Sequence, residues 1–416
     1  MKQLICPFGL LLLSIGCTKS DIVATASSTT TTSTTYYYQS GGTASETGKT
    51  YTSSITDTSG VYVTSTGIFS LVNSSVNTTG NTTSSDSSSF YGLNAIVRAD
   101  LGSTLTLDGC SLSSTGSGAN GVLATGSATQ VTMSSDTIST TGSGAHGIDA
   151  TYAATINATN VVMTTTGDHS SVIATDRGGG SVTVSGGSAT ASGALSAAIY
   201  STGSITVSSA TLSSGAADGA VIEGSNSITL TNTTLTGYTD GVKFYHSESG
   251  DASGFTGTLT TSGGSITATA GDCLYVTNET AVINLSNGTT LGASTGYLLH
   301  ALDTATVTLT ASGETLTGSL LADAATSTAS VTLSNGSTLK GAVQYVSLTL
   351  DATSTWNVTA NSVVTGLTDA AGISGTAVSN ITGNGYTIYY DASLSSNSTL
   401  GGKTYTLSGG GYLKPE

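Results

Sequence analysis

Three stretches decide the fold: Asn94-Ala95-Ile96-Val97, Asn120-Gly121-Val122-Leu123 and His146-Gly147-Ile148-Asp149 align without gaps at a spacing of 26 residues. The same start recurs at Ser171, Ala197, Gly219, Gly241 and Cys273. Downstream of each comes an apolar-x-apolar pair, then a further apolar residue. The series begins Leu105/Leu107/Leu112, Val131/Met133/Ile138, Val182/Val184/Ala189, Ile205/Val207/Leu212 and Ile228/Leu230/Leu235. It continues as Ile283/Leu285/Leu291, Val307/Leu309/Leu316, Val331/Leu333/Leu339 and Leu348/Leu350/Trp356. About twelve such units lie between Gly60 and Thr359. A unit this short cannot bury its apolar residues alone, whereas stacked copies bury them in continuous columns. Two or three short strands per unit, with Gly or Asn at the corners, describe one coil of a parallel β-helix. Thr106, Thr132, Asn157, Thr183, Thr206, Thr229, Thr308 and Thr332 then form an outward column, which suits β-branched Thr on a solvated strand. No Pro lies between Pro7 and Pro415, as expected where every coil donates its backbone N–H groups to a neighbour.

Composition agrees. Of 416 residues, 54 are Gly and 147, about 35%, are Ser or Thr. Only 8% are charged, and the net charge is -15. A phosphate-binding surface needs a positive field, so nucleic acid is excluded as a partner. With 37% hydrophobic residues the chain is too apolar for a solvated coil. No long stretch carries the 3.6-residue apolar period of a helix, which excludes a doubly wound α/β enzyme.

At the amino terminus, Met1-Lys2-Gln3 precedes an apolar run from Leu4 to Ile15, too short to span a bilayer comfortably. The run ends in Ser14-Ile15-Gly16-Cys17, which resembles the lipobox of bacterial lipoproteins, with Ser14 where that family usually carries Leu. The resemblance implies that residues 1–16 are a signal peptide and that Cys17 is acylated. It also implies a bacterial envelope protein, at the outer membrane or cell surface, whose membrane partner is met through lipid. Residues 17–50, including the hydroxyl tract Ser27 to Thr35, read as a Ser/Thr-rich tether. Residues 51–359 read as the repeats. Residues 360–416 lose the period but keep strand-like pieces, so they are expected to cap the last coil.

The Gly-apolar-x-apolar start and its Val-Thr-Leu-Ser/Thr-Asn continuation are similar to the right-handed parallel β-helix of pectin-lyase-like proteins and of adhesin or autotransporter passenger domains. The expected fold class is therefore all-β, a right-handed parallel β-helix solenoid with a C-terminal cap. The autotransporter's membrane barrel has no counterpart in this sequence, and lipid anchoring fits better. That fold hosts lyases, hydrolases, adhesins and inert stalks, so the resemblance implies architecture more than activity.

Polar residues concentrate in the middle coils: Asp149, Asp168, His169, Asp176, Arg177, Asp218, Glu223, Asp240, Lys243, Tyr245 and Asp272. Asp218, Asp240 and Asp272 each precede a coil start, where Asx side chains hydrogen-bond their own turn. Insertions at Thr78 to Phe90 and His246 to Gly254 are expected to leave the helix as lateral loops. His146, His169, His246 and His300 show no metal-ligand spacing, and neither a metal nor a cofactor is expected. Cys110 and Cys273 lie too many coils apart to pair. The sequence thus favours an adhesin-like or structural surface protein without a catalytic residue, offering Tyr245, Tyr275 and Tyr297 to glycan rings. The alternative is a carbohydrate-active lyase or hydrolase, with Asp176 and Arg177 as the catalytic pair and calcium as its cofactor.

Overall fold

The computed structural model describes residues 36–416 apart from 248 and 370. They form an all-β parallel solenoid of about 15 turns. Most coils contribute three strands, one to each face. On the first face Val97–Ala99, Val122–Thr125, Ile148–Thr151, Ile173–Thr175, Ile199–Ser201, Ala220–Glu223, Val242–Tyr245 and Leu274–Thr277 pair in parallel, one coil with the next. The second face stacks Thr104–Asp108, Gln130–Ser134, Thr155–Thr159, Ser181–Ser185, Ser204–Ser208 and Ser227–Thr231. The third carries Ser111–Ser114, Thr137–Thr140, Val162–Thr165, Ser188–Ala191, Thr211–Ser214 and Thr234–Gly237.

The inward positions are those that the period-2 reading selects. Leu105, Leu107, Val131, Met133, Ile205, Val207, Ile228 and Leu230 are buried in one continuous core. Each such side chain contributes roughly 1.5 to 3 kcal/mol by leaving water. Cys110 and Cys273 are free and buried within it.

Corners repeat as faithfully as strands. Between the second and third faces the first corner residue of each coil adopts positive φ, Asn73, Gly109, Ser135, Asn160, Gly186, Ser209 and Asn232 in succession, with Gly187 joining Gly186. The N–H of that first residue donates to the next coil, as from Asn160 to Ser185 O at 2.8 Å. Gly and Asn tolerate this left-handed geometry best, which accounts for much of their abundance. Where the third face returns to the first, Gly116, Gly142, Gly167 and Gly193 stack, and a Cβ on any of them would collide with the carbonyl oxygen of the preceding coil.

Three expectations change. Among the described residues the first solenoid strand starts at Tyr37, inside the segment read as tether: Tyr37–Ser40, Thr43–Thr47 and Thr50–Ser53 pair with Val61–Thr64, Ile68–Val72 and Ser75–Thr78. Hydroxyl-rich strands are ordinary here because their neighbours supply the ladder. The Val307/Leu309 copy is displaced by two residues, since Leu309 stacks on Ile283 and Val307 on Ala281. Thr310, and not Thr308, therefore continues the outward column between Asn284 and Thr332. A shift of two leaves inward residues inward, so hydrophobic alternation could not reveal it. Finally, residues 360–416 go on stacking in parallel through Ser362–Thr368, Thr387–Tyr390 and Tyr412–Pro415. Two antiparallel pairings, Ile373–Ser374 with Ala377–Thr382 and Tyr405–Ser408 with Tyr412–Pro415, close this end. Cys17 and the expected signal peptide lie outside the described residues. Among those described, no helix is long and apolar enough to cross a membrane.

Candidate functional site

Both insertions fold back over the first face. The first contains the helix Ser85–Tyr91, capped by the Ser84 side chain, which accepts from the Ser87 N–H, and ended by Gly92 at φ 71. Its carbonyls are held by the sheet beneath: Phe90 O accepts from Thr125 Oγ1 at 3.1 Å and Thr151 Oγ1 at 2.7 Å. The second insertion, residues 246–255, is held by Ser225 N–H donating to Ser253 O at 2.8 Å. Arg177 joins the two. Its guanidinium lies 4.0 Å from the centre of the Phe90 ring and donates to Asp251 Oδ1 at 2.7 Å.

On the first face the outward positions Leu123, Asp149, Ala174 and Val221 are buried. One column runs Leu123, Asp149, Ala174, Tyr200, Val221, Lys243, Tyr275 and His300. Asp149 is completely buried, and neither carboxylate oxygen has a hydrogen-bond partner. Asp176 is also buried, and its Oδ1 accepts from the Arg177 backbone N–H at 2.8 Å. An imidazole nitrogen of His146 and one carboxylate oxygen from each of Asp149 and Asp176 lie within 4.8 Å of one another. Glu223, two coils along from Asp176, accepts from the hydroxyls of Tyr200, Tyr245 and Ser247, with Tyr245 at 3.0 Å.

Electrostatics follow from this burial. Desolvation drives the Asp149 carboxyl far above the ordinary range, and the neighbouring Asp176 adds to the effect. Asp176 is pushed up to about 7 by burial and then by Asp251, with Arg177 opposing. His146 is pushed down to about 4 by burial, so its ring is neutral at pH 7.

A groove of about 1090 Å³ opens alongside. Ser117, Ser143, His169, Leu195, Ala217 and Thr239 line it from successive coils, a length of roughly 24 Å at about 4.8 Å per coil. Tyr200, Lys243, Tyr245 and Tyr275 form its first-face wall, and Thr82 and Thr83 of the first insertion close one end.

The residues singled out in the sequence meet different fates. Tyr245 and Tyr275 line the groove. Tyr297 packs on His300, with ring centres 5.5 Å apart, and is not part of the lining. Asp176 joins the buried cluster, whereas the Arg177 guanidinium is committed to Asp251 and Phe90. Asp218 and Asp240 do serve corners, but of the following coil: Asp218 Oδ1 accepts from Asp240 N–H at 3.1 Å, and Asp240 Oδ1 from Asp272 N–H at 2.9 Å. Asp272 serves the following corner too, its Oδ1 accepting from the Thr295 hydroxyl, while its Oδ2 meets His300 Nδ1 at 2.5 Å. His146, Tyr200 and the convergence of Asp149 with Asp176 escaped the sequence reading. The available signal was the position of the two insertions, which emerge beside the same face. Calcium takes six to eight oxygen ligands, and a site of two carboxylates and an imidazole is poorly matched to it. No family model matches the chain, and no curated protein matches it.

Proposed function

We propose that this chain is a lipid-anchored β-solenoid of a bacterial envelope that binds a linear glycan along the first-face groove. The observation that carries the reading is the groove itself, long in one direction, walled by Tyr200, Tyr245 and Tyr275 and otherwise lined largely by hydroxyl and small side chains. Such a wall offers aromatic faces and shallow hydrogen-bonding groups to a chain of sugar rings. Acidic groups at the rim, Asp218 and Asp240, disfavour polyanionic chains and point to neutral ones. A glycan array probed with the full chain tests this. Tyr275→Ala should weaken binding roughly tenfold, the equivalent of one aromatic contact, while leaving unfolding unchanged. Failure of every neutral polysaccharide to bind would remove the reading. The anchor is tested separately: labelled fatty acid should be incorporated in the wild type and lost in Cys17→Ser.

A second reading, hydrolysis of a glycan, rests on the paired carboxyls Asp149 and Asp176, which are buried and lie outside the groove lining, so the cluster would have to open to reach a substrate. A carboxyl held near 7 beside a second one is suited to general acid work. The lyase form with Arg177 as base is weakened, because that guanidinium already has two partners. Release of reducing ends by the wild type and its loss in Asp176→Asn would support hydrolysis, and glycan binding without cleavage would leave binding alone.

A further inference from the structure

The cluster beneath the two insertions contains only electron-pair donors. His146 Nδ1 sits 3.2 Å from the carbonyl oxygen of Ser171, so the ring proton belongs on Nδ1 and Nε2 is left with its lone pair. Asp149 contributes two fully buried oxygens that make no well-formed hydrogen bond, with only the backbone N–H of Ala150 close enough to oppose the rise of its carboxyl. Asp176 contributes a third carboxylate oxygen within the same 4.8 Å. Stacking alone would not require this, since Leu123 and Ala174 occupy the neighbouring places in the Asp149 column without any polar group. A fully desolvated carboxylate with no partner costs several kcal/mol unless a cation or a proton meets it.

We infer that His146, Asp149 and Asp176 form a binding site for a divalent transition-metal ion of the Mn²⁺ to Zn²⁺ series. One imidazole and two carboxylates are the ligand types of these ions, and the nitrogen discriminates against Ca²⁺ and Mg²⁺. The hydrogen bond from His146 to the Ser171 carbonyl is the outer-shell contact that fixes a ligating imidazole. Access exists as well, because His146 lies at once in the cluster and in the lining of the groove. The Arg177 bridge to Asp251 and Phe90 springs from the residue next to Asp176.

The test is equilibrium dialysis of the full chain, stripped with chelator, against Zn²⁺ alone and against Co²⁺ at pH 7.5. One ion per chain is expected, with a Co²⁺ visible spectrum showing a nitrogen and oxygen environment and no displacement by millimolar Ca²⁺. Asp149→Asn and His146→Gln should each lower Zn²⁺ affinity at least 100-fold. Circular dichroism and the unfolding midpoint of each metal-free variant establish that it folds, and the wild-type Co²⁺ spectrum stands even if both variants fail. No stoichiometric binding by the wild type would overturn the site in favour of a proton shared between the carboxyls. Undiminished binding in folded variants, or equal affinity for Ca²⁺, would overturn it in favour of a surface ion.

Discussion

Glu279 offers a direct measurement of what burial does to a charge in this solenoid. It occupies the corner between Leu274–Thr277 and Thr280–Ser286, is 3% exposed, and makes no well-formed hydrogen bond, although the backbone N–H groups of Gly224 and Gly257 lie close enough to oppose part of the effect of burial. Burial, and secondarily Glu223, pushes its carboxyl up from 4.5 to about 8. The folded state therefore holds a proton that the unfolded chain releases above pH about 4.5. Because the folded state binds more protons in that window, stability falls as pH rises from about 4.5 to about 8, and the loss is complete above it. The full difference corresponds to about 5 kcal/mol, and solvent screening near a corner reduces the expectation to about 2 to 3 kcal/mol. Glu279→Gln keeps the shape and removes the titration. In urea unfolding of the full chain it should match the wild type near pH 4.5 and exceed it by about 2 to 3 kcal/mol near pH 9. Asp57, Asp323, Asp351 and Asp391 are held below their ordinary range by hydrogen bonds, so their contribution is lost only as pH falls below about 4, outside this window. An advantage of equal size at both pH values, or none at pH 9, would refute the reasoning.

Leu230 stacks between Val207 and Thr261 in the core, so Leu230→Asp should cost several kcal/mol, whereas Thr229→Asp, one position away and facing out, should cost under about 1 kcal/mol. Equal losses in denaturant unfolding would contradict the facing. Gly142→Ala drives a Cβ into the Gly116 carbonyl and should destabilise by about 3 kcal/mol or abolish folding, read by soluble yield and thermal midpoint. Arg177→Met removes the bridge between the two insertions. Limited proteolysis should then cut within residues 246–255 several-fold faster, while the global unfolding midpoint changes little because the ion pair is screened by solvent.

The core was legible because its rule is local. Val131 and Met133 alternate with polar residues, and that alternation alone assigns their facing. The slip at Val307 was hidden by the same rule, which reads parity and not register. Tyr37 to Thr50 is not legible as strand because Ser/Thr-rich sequence reads as solvated, although in this chain the same composition builds the strands. The site was the least legible part. Asp149 stands at an outward position, and on an uncovered face it would be an ordinary solvated carboxylate. The helix Ser85–Tyr91 comes from an insertion more than fifty residues earlier, and its Phe90 carbonyl accepts from Thr151 at the end of the Asp149 strand. Covering by distant insertions is a tertiary event, and no spacing within a coil encodes it.

The recurring left-handed corner bears on how such a chain changes length over generations. From Asn73 to Asn232 successive coils share the same corner geometry and the same inward columns, so equivalent rungs are interchangeable joints. Ile283 and Leu309 occupy one column in adjacent coils. Recombination between their codons would excise or duplicate one whole turn while leaving every other residue facing as before. Selection can thus lengthen or shorten the rod in single-coil steps, with the groove and its covering insertions carried unchanged on the coils that hold them.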